Sequence, residues 1–379
     1  MDINVVGGGP AGLYFAILMK KRDPRHRIVI HERDAADDTF GWGIVFSDQT
    51  LSFLRENDAE SCGEIMRRFV TWENVDVVHR DDKISILGNK FAGIGRLAFL
   101  NVLQKRCADL GVEIRYRENV GEGDLARLSD CDLFVGSDGA NSLVRRSRAA
   151  RFEPKVEAGK NKYIWLGTRR LFHGLTLTFR SGEAGPFAAH SYKFNADTST
   201  FIVECSEATW ARAGFATMSG EATCAALEKV FERDLEGHPL LTNNFVKWLH
   251  FPLVRNGRWS DGNTVLLGDA LHTAHFSIGS GTKLAVEDSI ALAKAFDAKG
   301  AVPAALAEFE RTRRPVVEAL QEAAASSLAW FESFGEKMGM EPMALAYDIM
   351  TRSGRIDIEK LRGRDPAFAA RYERWRAAR

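Results

Sequence analysis

A short apolar run, Ile3 to Val6, ends directly on Gly7-Gly8-Gly9-Pro10-Ala11-Gly12. Few features restrict a fold so far. The run reads as a buried parallel strand. Ala11 to Lys21 then carries helix formers with apolar residues at helical spacing, and Arg27 to His31 reads as a second strand. Strand, glycine turn, helix and strand make a βαβ unit. The glycine spacing is G-x-G-x-x-G: Gly7 permits the tight turn, Gly9 lets the backbone approach a pyrophosphate, and Gly12 allows close helix–strand packing. The helix N-terminus then offers unpaired N–H groups to phosphates. Glu32, about 20 residues beyond Gly12, is suited to accept hydrogen bonds from ribose hydroxyls and would repel a 2′-phosphate. A dinucleotide is the expected ligand, and these residues alone do not say which.

Further strands are expected at Val112–Tyr116, Leu133–Val135 and Thr264–Leu267, and helices at Arg96–Leu110, Gly281–Lys299 and from Pro303 to Phe334, with Gly111 as a C-cap. Asp37 to Gly43 reads as a loop. Between Tyr163 and Val203 the texture changes to alternating stretches such as YIWLGT, LTLTFR and STFIVEC, which predict antiparallel strands. The charged tail from Leu361 to Arg379 reads as a surface helix. Parallel-type strands are thus split by an antiparallel block. The fold class expected is α/β: a Rossmann-like cofactor domain in discontinuous pieces, an inserted antiparallel β-sheet layer, and C-terminal helices.

Charge excludes some partners. Lys plus Arg and Asp plus Glu each total 51, so no global charge points to nucleic acid or a membrane surface. The five scattered cysteines form no C-x-x-C pair, which argues against a disulfide scaffold or zinc site and fits a reducing compartment. The start, MDINVV, lacks the basic region and apolar run of a signal peptide. No apolar stretch reaches the roughly 18–20 residues that span a bilayer. A soluble, cytoplasmic protein is expected.

Two later segments separate the possible dinucleotides by resemblance. Ser137-Asp138-Gly139-Ala140-Asn141-Ser142-Leu143-Val144-Arg145 resembles the D-G-x-x-S-x-V-R segment of FAD-dependent aromatic hydroxylases. Leu267-Gly268-Asp269-Ala270-Leu271-His272 resembles their G-D-A-x-H segment and continues into Gly279-Ser280-Gly281, similar to the family's G-x-G before a helix. The resemblance implies FAD as cofactor and NAD(P)H as a transient co-substrate. It implies that Asp269 bonds a ribityl hydroxyl, that Arg96 lies near the FAD phosphates, and that Ala11, Arg33, Gly43, Asp138, Gly268, Gly279, Gly281 and Thr282 line the cofactor beside Gly7, Gly9, Gly12 and Glu32. The chain departs from the family pattern at Phe276, where proline is usual, and at Lys283, where asparagine is usual.

A narrower resemblance covers nearly the whole chain. GGGPAGLYFAILMKKRDP, GWGIVFSDQTL, GIGRLAFLNVLQKRC, NKYIWLGT, STFIVECSEATW and HFSIGSGTKLAVED are similar to the monooxygenase half of anthraniloyl-CoA and salicylyl-CoA hydroxylases. MTRSGRIDIEKLRGRDPAF resembles the point where many of those proteins continue into a reductase-like half. NKYIWLGT and STFIVECSE also resemble the tryptophan-derivative hydroxylase of violacein biosynthesis. The implied activity is hydroxylation of an electron-rich aromatic ring with O2, at ring carbon 5 of an ortho-substituted benzoyl-CoA. The implied organisation is an FAD-binding part from 1–70, 91–160 and 256–315, a substrate part from 71–90 and 161–255, and a helical segment from 316–379.

Other candidates have bland alternatives. His272 and His275 stand three apart beside Asp269, but the surrounding residues match a flavin loop better than a metal site, and no metal is expected. Gly41-Trp42-Gly43 is either a tight surface turn or a backbone pressed against the flavin. On Ala188 to Lys193, alternation puts His190 and Tyr192 on one face, as ordinary sheet residues or as catalytic groups facing substrate. From Arg145 to Arg170, nine basic residues meet only Glu153 and Glu157, an excess of seven positive charges that is either a solvated face or a surface steering CoA or NAD(P)H. A flavin-dependent halogenase is disfavoured because no W-x-W-x-I-P occurs. A plain NAD-dependent dehydrogenase leaves the Asp269 segment unexplained. A non-catalytic FAD-binding protein and a hydroxylase of a tryptophan- or indole-derived intermediate remain as alternatives.

Overall fold

The computed structural model describes residues 1–243, 247–279 and 281–379. Among these, six strands form one sheet in the order Ser260–Asp261, Thr264–Leu266, Leu133–Gly136, Asp2–Val6, Arg27–His31, Glu113–Arg115. All its pairings are parallel except the first, a small hairpin. Asp2–Val6 sits inside, with Ile3 opposite Ile28 on one side and Leu133 on the other. Such a strand must be apolar on both faces, which is why Ile3 to Val6 reads as a run rather than an alternation.

The helix Pro10–Arg22 follows the glycine turn with proline at its first position and three basic residues, Lys20, Lys21 and Arg22, in its last turn. Both placements suit the N–H groups and dipole of a helix. It is buried from Pro10 to Leu18 and at Met19, because the sheet covers one side and the helix Gly281–Lys299 the other. Ser289 Oγ ties the two helices by donating to Ala11 O at 2.8 Å.

A second sheet runs in the order Leu240–Leu241, Pro154–Thr168, Ser199–Ser206, Gly185–Lys193, Leu175–Gly182, Val75–His79, Asp82–Ile86, with Leu249–Asn256 also on Pro154–Thr168. It is antiparallel except where Leu175–Gly182 meets Val75–His79 in parallel. A three-stranded sheet, Gly43–Ser47, Phe91–Gly95 and Val70–Trp72, lies between the two in the chain. The strands between residues 43 and 95 were not foreseen: VDVVH and DKISI alternate too briefly to stand out.

Two continuous elements run through positions where part boundaries were expected. Pro154–Thr168 is one strand through position 160, and Val302–Glu332 is one helix through position 315. That helix buries Phe309 and Arg313 toward the first layer and Leu328 and Phe331 toward the second. The tail also differs from a surface helix. Pro366 breaks it into Ile358–Arg364 and Pro366–Ala377, Asp365 caps the second by accepting from Phe368 N at 2.9 Å, and Leu361 and Phe368 are buried against the hairpin 75–86. No helix among the described residues is long and apolar enough to cross a membrane.

Candidate active site

The glycine turn is built as its spacing requires. Gly7 has φ +100°, and a Cβ there would lie 2.4 Å from Ser137 O. A Cβ on Gly12 would meet Gly7 O at 2.4 Å and Ser137 Oγ at 2.6 Å. Gly9 differs: nothing stands within 4 Å of its added Cβ. An added Cβ on Gly139, Gly279 or Gly281 likewise meets nothing within 4 Å. Gly268, with φ +58°, packs against Ala11 and Ala285, which brings the Asp269 turn between the N-terminal ends of the helices Pro10–Arg22 and Gly281–Lys299. Thr282 stands in the first turn of the second helix. Ser280 lies outside the described residues.

Several polar groups around this cleft lack protein partners. Arg96 Nε and Asp138 Oδ1 are buried with no hydrogen-bond partner among the described residues. Asp269 is open to the cleft while protein packs round it. Burial raises its carboxyl above the ordinary range, and the charges of Arg96 and His272 offset this in part. Unpaired donors and acceptors beside space that no side chain fills are what a bound polar cofactor would complete. Glu32 accepts from Gly8 N at 2.5 Å and Asp34 N at 2.9 Å, so its carboxylate is fixed at the glycine turn. These residues fit FAD: glycine N–H groups and Arg96 toward phosphates, Glu32 and Asp269 toward hydroxyls.

Other expected cofactor residues have mainly structural duties. Arg33 is exposed beside Asp34, 3.6 Å away. Asp138 Oδ2 accepts from Leu143 N at 2.6 Å and Val144 N at 3.2 Å, starting the helix Leu143–Ser147. Gly41 and Gly43 are required by the second sheet: added Cβ atoms would stand 2.6 Å from the rings or Cβ of Trp165 and Phe194. Close packing against aromatic side chains therefore accounts for both glycines without a flavin.

Tyr192 belongs to the same contact. It is buried, stacks on Trp72, and donates its hydroxyl to Gly43 O at 2.7 Å. That bond directs the hydroxyl proton to the first residue of the strand Gly43–Ser47. His190 is different. It is buried with Nε2 2.7 Å from Glu204 Oε1. The two are diagonal neighbours on one face, because Ala188 pairs with Glu204 and His190 with Ile202. Asn161 holds Glu204 Oε2 at 3.4 Å and also donates to Phe331 O at 2.9 Å. Burial raises the Glu204 carboxyl, but His190, His275 and Asn161 outweigh it and hold the group below its ordinary value.

An aromatic wall closes over this pair. Phe331 and Phe276 have ring centroids 4.6 and 5.2 Å from His190, and Tyr163 and Phe251 stand 5.0 and 6.0 Å from Phe276. Burial and the negative charge of Asp269 push the Tyr163 phenol up to about 12, which marks this wall as bordering the Asp269 cleft. His275 and His272 face apart. His275 Nδ1 bonds Ser277 Oγ at 2.8 Å, whereas His272 Nε2 lies 2.8 Å from Asp288 Oδ2, and Arg313 Nε binds the other oxygen, Asp288 Oδ1, at 2.9 Å. Lys283 stands 3.7 Å from Glu287, itself bound by Arg313. Glu204, Phe331 and Arg352 escaped the sequence reading. The one signal was a carboxylate inside the apolar stretch FIVEC.

The basic run 145–170 does not form one free patch. Arg145 is buried and donates to Ala270 O at 2.8 Å and Ala140 O at 2.5 Å, joining two motif segments. Arg148 and Arg151 both face Asp261, Lys160 faces Glu332, Arg169 faces Asp197 and Arg170 faces Glu236. Four acids from elsewhere, Asp261, Glu332, Asp197 and Glu236, oppose part of the excess of seven.

Comparison with known proteins agrees with this geometry. A family model described as "FAD binding domain" matches residues 195–324. The chain is 41% identical to a salicyloyl-CoA 5-hydroxylase of a Streptomyces species, covering 99% of this chain and 74% of the relative. It is 38% identical to protodeoxyviolaceinate monooxygenase of Chromobacterium violaceum, over 89% of this chain and 91% of the relative. It is 35% identical to 3-hydroxy-4-methyl-anthranilyl-[aryl-carrier protein] 5-monooxygenase of Streptosporangium sibiricum, over 94% and 95%. Among solved structures, p-nitrophenol 4-monooxygenase of Pseudomonas putida shares the fold with a TM-score of 0.73 at 17% identity, over 98% of this chain and 97% of that one. A Rossmann turn, a cleft lined by unpaired polar groups, an aromatic wall across it and near-full-length relatives lead to one assignment: the chain belongs to the FAD-dependent aromatic-ring monooxygenases.

Proposed function

We propose that the protein hydroxylates an ortho-substituted benzoyl thioester, salicylyl-CoA or anthraniloyl-CoA, at ring carbon 5, with NAD(P)H as reductant. The observation that carries this reading is the 41% identity to a salicyloyl-CoA 5-hydroxylase across 99% of the chain. A second relative, by its name, also acts at position 5 of an anthranilyl group held on a carrier. The basic run is no part of this reading, because acids from elsewhere face five of its nine members, Arg148, Arg151, Lys160, Arg169 and Arg170.

Bound FAD supplies the redox chemistry by which NAD(P)H and O2 deliver one oxygen atom to the ring. The protein's own part is positioning and exclusion of water. Tyr163, Phe251, Phe276 and Phe331 give the ring an apolar wall. Glu204 is an acceptor, so His190 carries its proton on Nε2 and keeps Nδ1 as the atom that takes a proton from a ring hydroxyl. Drawing that proton off raises electron density on the ring carbon para to it. Phe276, whose ring edge stands on His190, turns aside when the aryl group enters. The same reading divides the chain: 1–70, 91–160 and 256–315 hold FAD, and 71–90 with 161–255 meet the substrate, the edges shifting to where Pro154–Thr168 begins and Val302–Glu332 ends.

The 38% identity to protodeoxyviolaceinate monooxygenase favours a second reading, a tryptophan-derived substrate. The test is NAD(P)H consumption and product analysis with salicylyl-CoA, anthraniloyl-CoA, free salicylate and tryptophan. The thioesters should turn over at least tenfold more efficiently than the free acid. Equal use of free salicylate or tryptophan would sink the thioester reading.

A further inference from the structure

The C-terminal helices enter the site through Arg352, which the mechanism above does not use. Arg352 Nε donates to Ser327 Oγ at 2.8 Å, and its Nη2 donates to Ser277 O at 2.7 Å. Ser327 Oγ lies 2.7 Å from Ser277 Oγ, which lies 2.8 Å from His275 Nδ1. Arginine has donors only, so Ser327 Oγ accepts from it, but a hydroxyl can accept twice and both directions of the remaining chain stay open at this end. In one of them Ser327 donates to Ser277 Oγ and Ser277 donates to His275 Nδ1. The backbone N–H of Ser277, a second obligatory donor, also points at Nδ1, at 3.4 Å. The opposite direction would set an Nδ1–H against that N–H. His275 therefore keeps its proton on Nε2.

Its neighbours agree. His275 is buried between the rings of Phe276, 4.1 Å away, and Phe251, 5.0 Å away, and faces the charges of Glu204 and Arg352. Burial lowers its pKa to about 4, so the ring is neutral at neutral pH. Two histidines thus flank the ring of Phe276 with opposite roles. His190, backed by a carboxylate, offers an acceptor, and His275, backed by a hydroxyl chain, offers a donor. An ortho-hydroxybenzoyl or ortho-aminobenzoyl group presents the complementary pair, an O–H or N–H donor beside a carbonyl acceptor.

We infer that His275 is the Nε2–H donor of the substrate site, its tautomer set by the backbone N–H of Ser277 with the hydroxyls of Ser277 and Ser327 aligned to it, and that this N–H meets the acyl carbonyl of the substrate. The carbonyl contact rests on the thioester reading above, whereas the tautomer does not. Ser277 is a positioning residue that acts through His275.

The test is histidine ¹⁵N NMR on the FAD-loaded protein at pH 7, with the His275 signals assigned by His275→Asn. The expected spectrum shows Nε2 protonated and Nδ1 bare. A protonated Nδ1, or a doubly protonated ring, overturns the inference. Ser277→Ala, which removes the hydroxyl and keeps the backbone N–H, should leave the same single form, and a shift of the proton to Nδ1 in that variant overturns the inference. For the contact, binding of salicylyl-CoA is compared with its thioether analogue, which lacks the carbonyl oxygen. The wild type should prefer the thioester by about 3–10-fold, and His275→Phe should erase the preference. An unchanged preference overturns the contact. If neither CoA compound binds, the substrate reading fails and the contact with it, and the spectrum alone decides the tautomer.

Discussion

At the scale of single residues, protonation ties chemistry to stability. Burial drives His275 from 6.5 down to about 4, so the folded state refuses a proton that the unfolded chain accepts. The resulting stability is fully present above pH 6.5 and is lost as pH falls toward 4, by about 3 kcal/mol in all. Urea midpoints measured across that range should fall with acidification in the wild type, and the slope should flatten in His275→Asn. Equal slopes would show that His275 is not held neutral. Asp269 makes a separate prediction. Its carboxylate faces the cleft, and a charge-assisted hydrogen bond is worth about 1.5–3 kcal/mol, so Asp269→Ala should weaken FAD affinity by about tenfold or more. Equilibrium titration of the apoprotein measures this, and an unchanged affinity would remove Asp269 from the cofactor site. Asp269 was legible in the sequence because its neighbours form a contiguous motif. Glu204, Phe331 and Arg352 were not, because strand register and a helix end bring them together from distant positions. His190 was legible as a candidate only through strand alternation, which does not say where a polar tip is bonded: the Tyr192 hydroxyl, two residues on, goes to Gly43 O.

At the scale of elements, the glycine turn separates folding from binding. Gly12 is crowded by Gly7 O and Ser137 Oγ, so Gly12→Ala forces the helix Pro10–Arg22 away from the strand and should destabilise the apoprotein by about 1–3 kcal/mol. Gly9 has φ −76° and open space beside it, so Gly9→Ala costs the apoprotein almost nothing. Its methyl group would instead occupy room that a pyrophosphate needs, and FAD affinity should drop by tenfold or more. Melting of the two apoproteins, followed by FAD titration, distinguishes them. If Gly9→Ala binds FAD normally, the phosphates do not lie over this turn. The turn and its helix were readable because three glycines, a proline and an apolar strand state the geometry locally. Gly41 and Gly43 carried the same signal with a different cause, since their neighbours, Trp165 and Phe194, lie on a sheet more than 100 residues away.

At the scale of the whole molecule, the C-terminal helices are a packed part of the second layer rather than an appendage. Leu345, Ala346, Ile349, Leu361 and Phe368 are each no more than 1% exposed and cover Val75, Val77, Ile84 and Ile86 on the hairpin 75–86. The tail misled the sequence reading because its charges are frequent and its few apolar residues are spread over two short helices that Pro366 separates. Burying a large apolar side chain is worth about 1.5–3 kcal/mol, so the four largest of these together approach the ~5–15 kcal/mol by which a whole domain is stable. Ending the chain after Met340 should therefore leave an aggregated or unfolded protein. A milder change isolates the cause. Phe368→Ala keeps the length and every site residue, and should lower stability by about 3–5 kcal/mol. Because this helix pair touches the layer that carries His190 and Glu204, and not the glycine turn, the variant should retain FAD affinity at temperatures where it stays folded. Loss of FAD binding without loss of fold would mean that the two layers are coupled more tightly than their contacts imply. Chemical denaturation of Phe368→Ala with FAD fluorescence as a second probe decides between these outcomes.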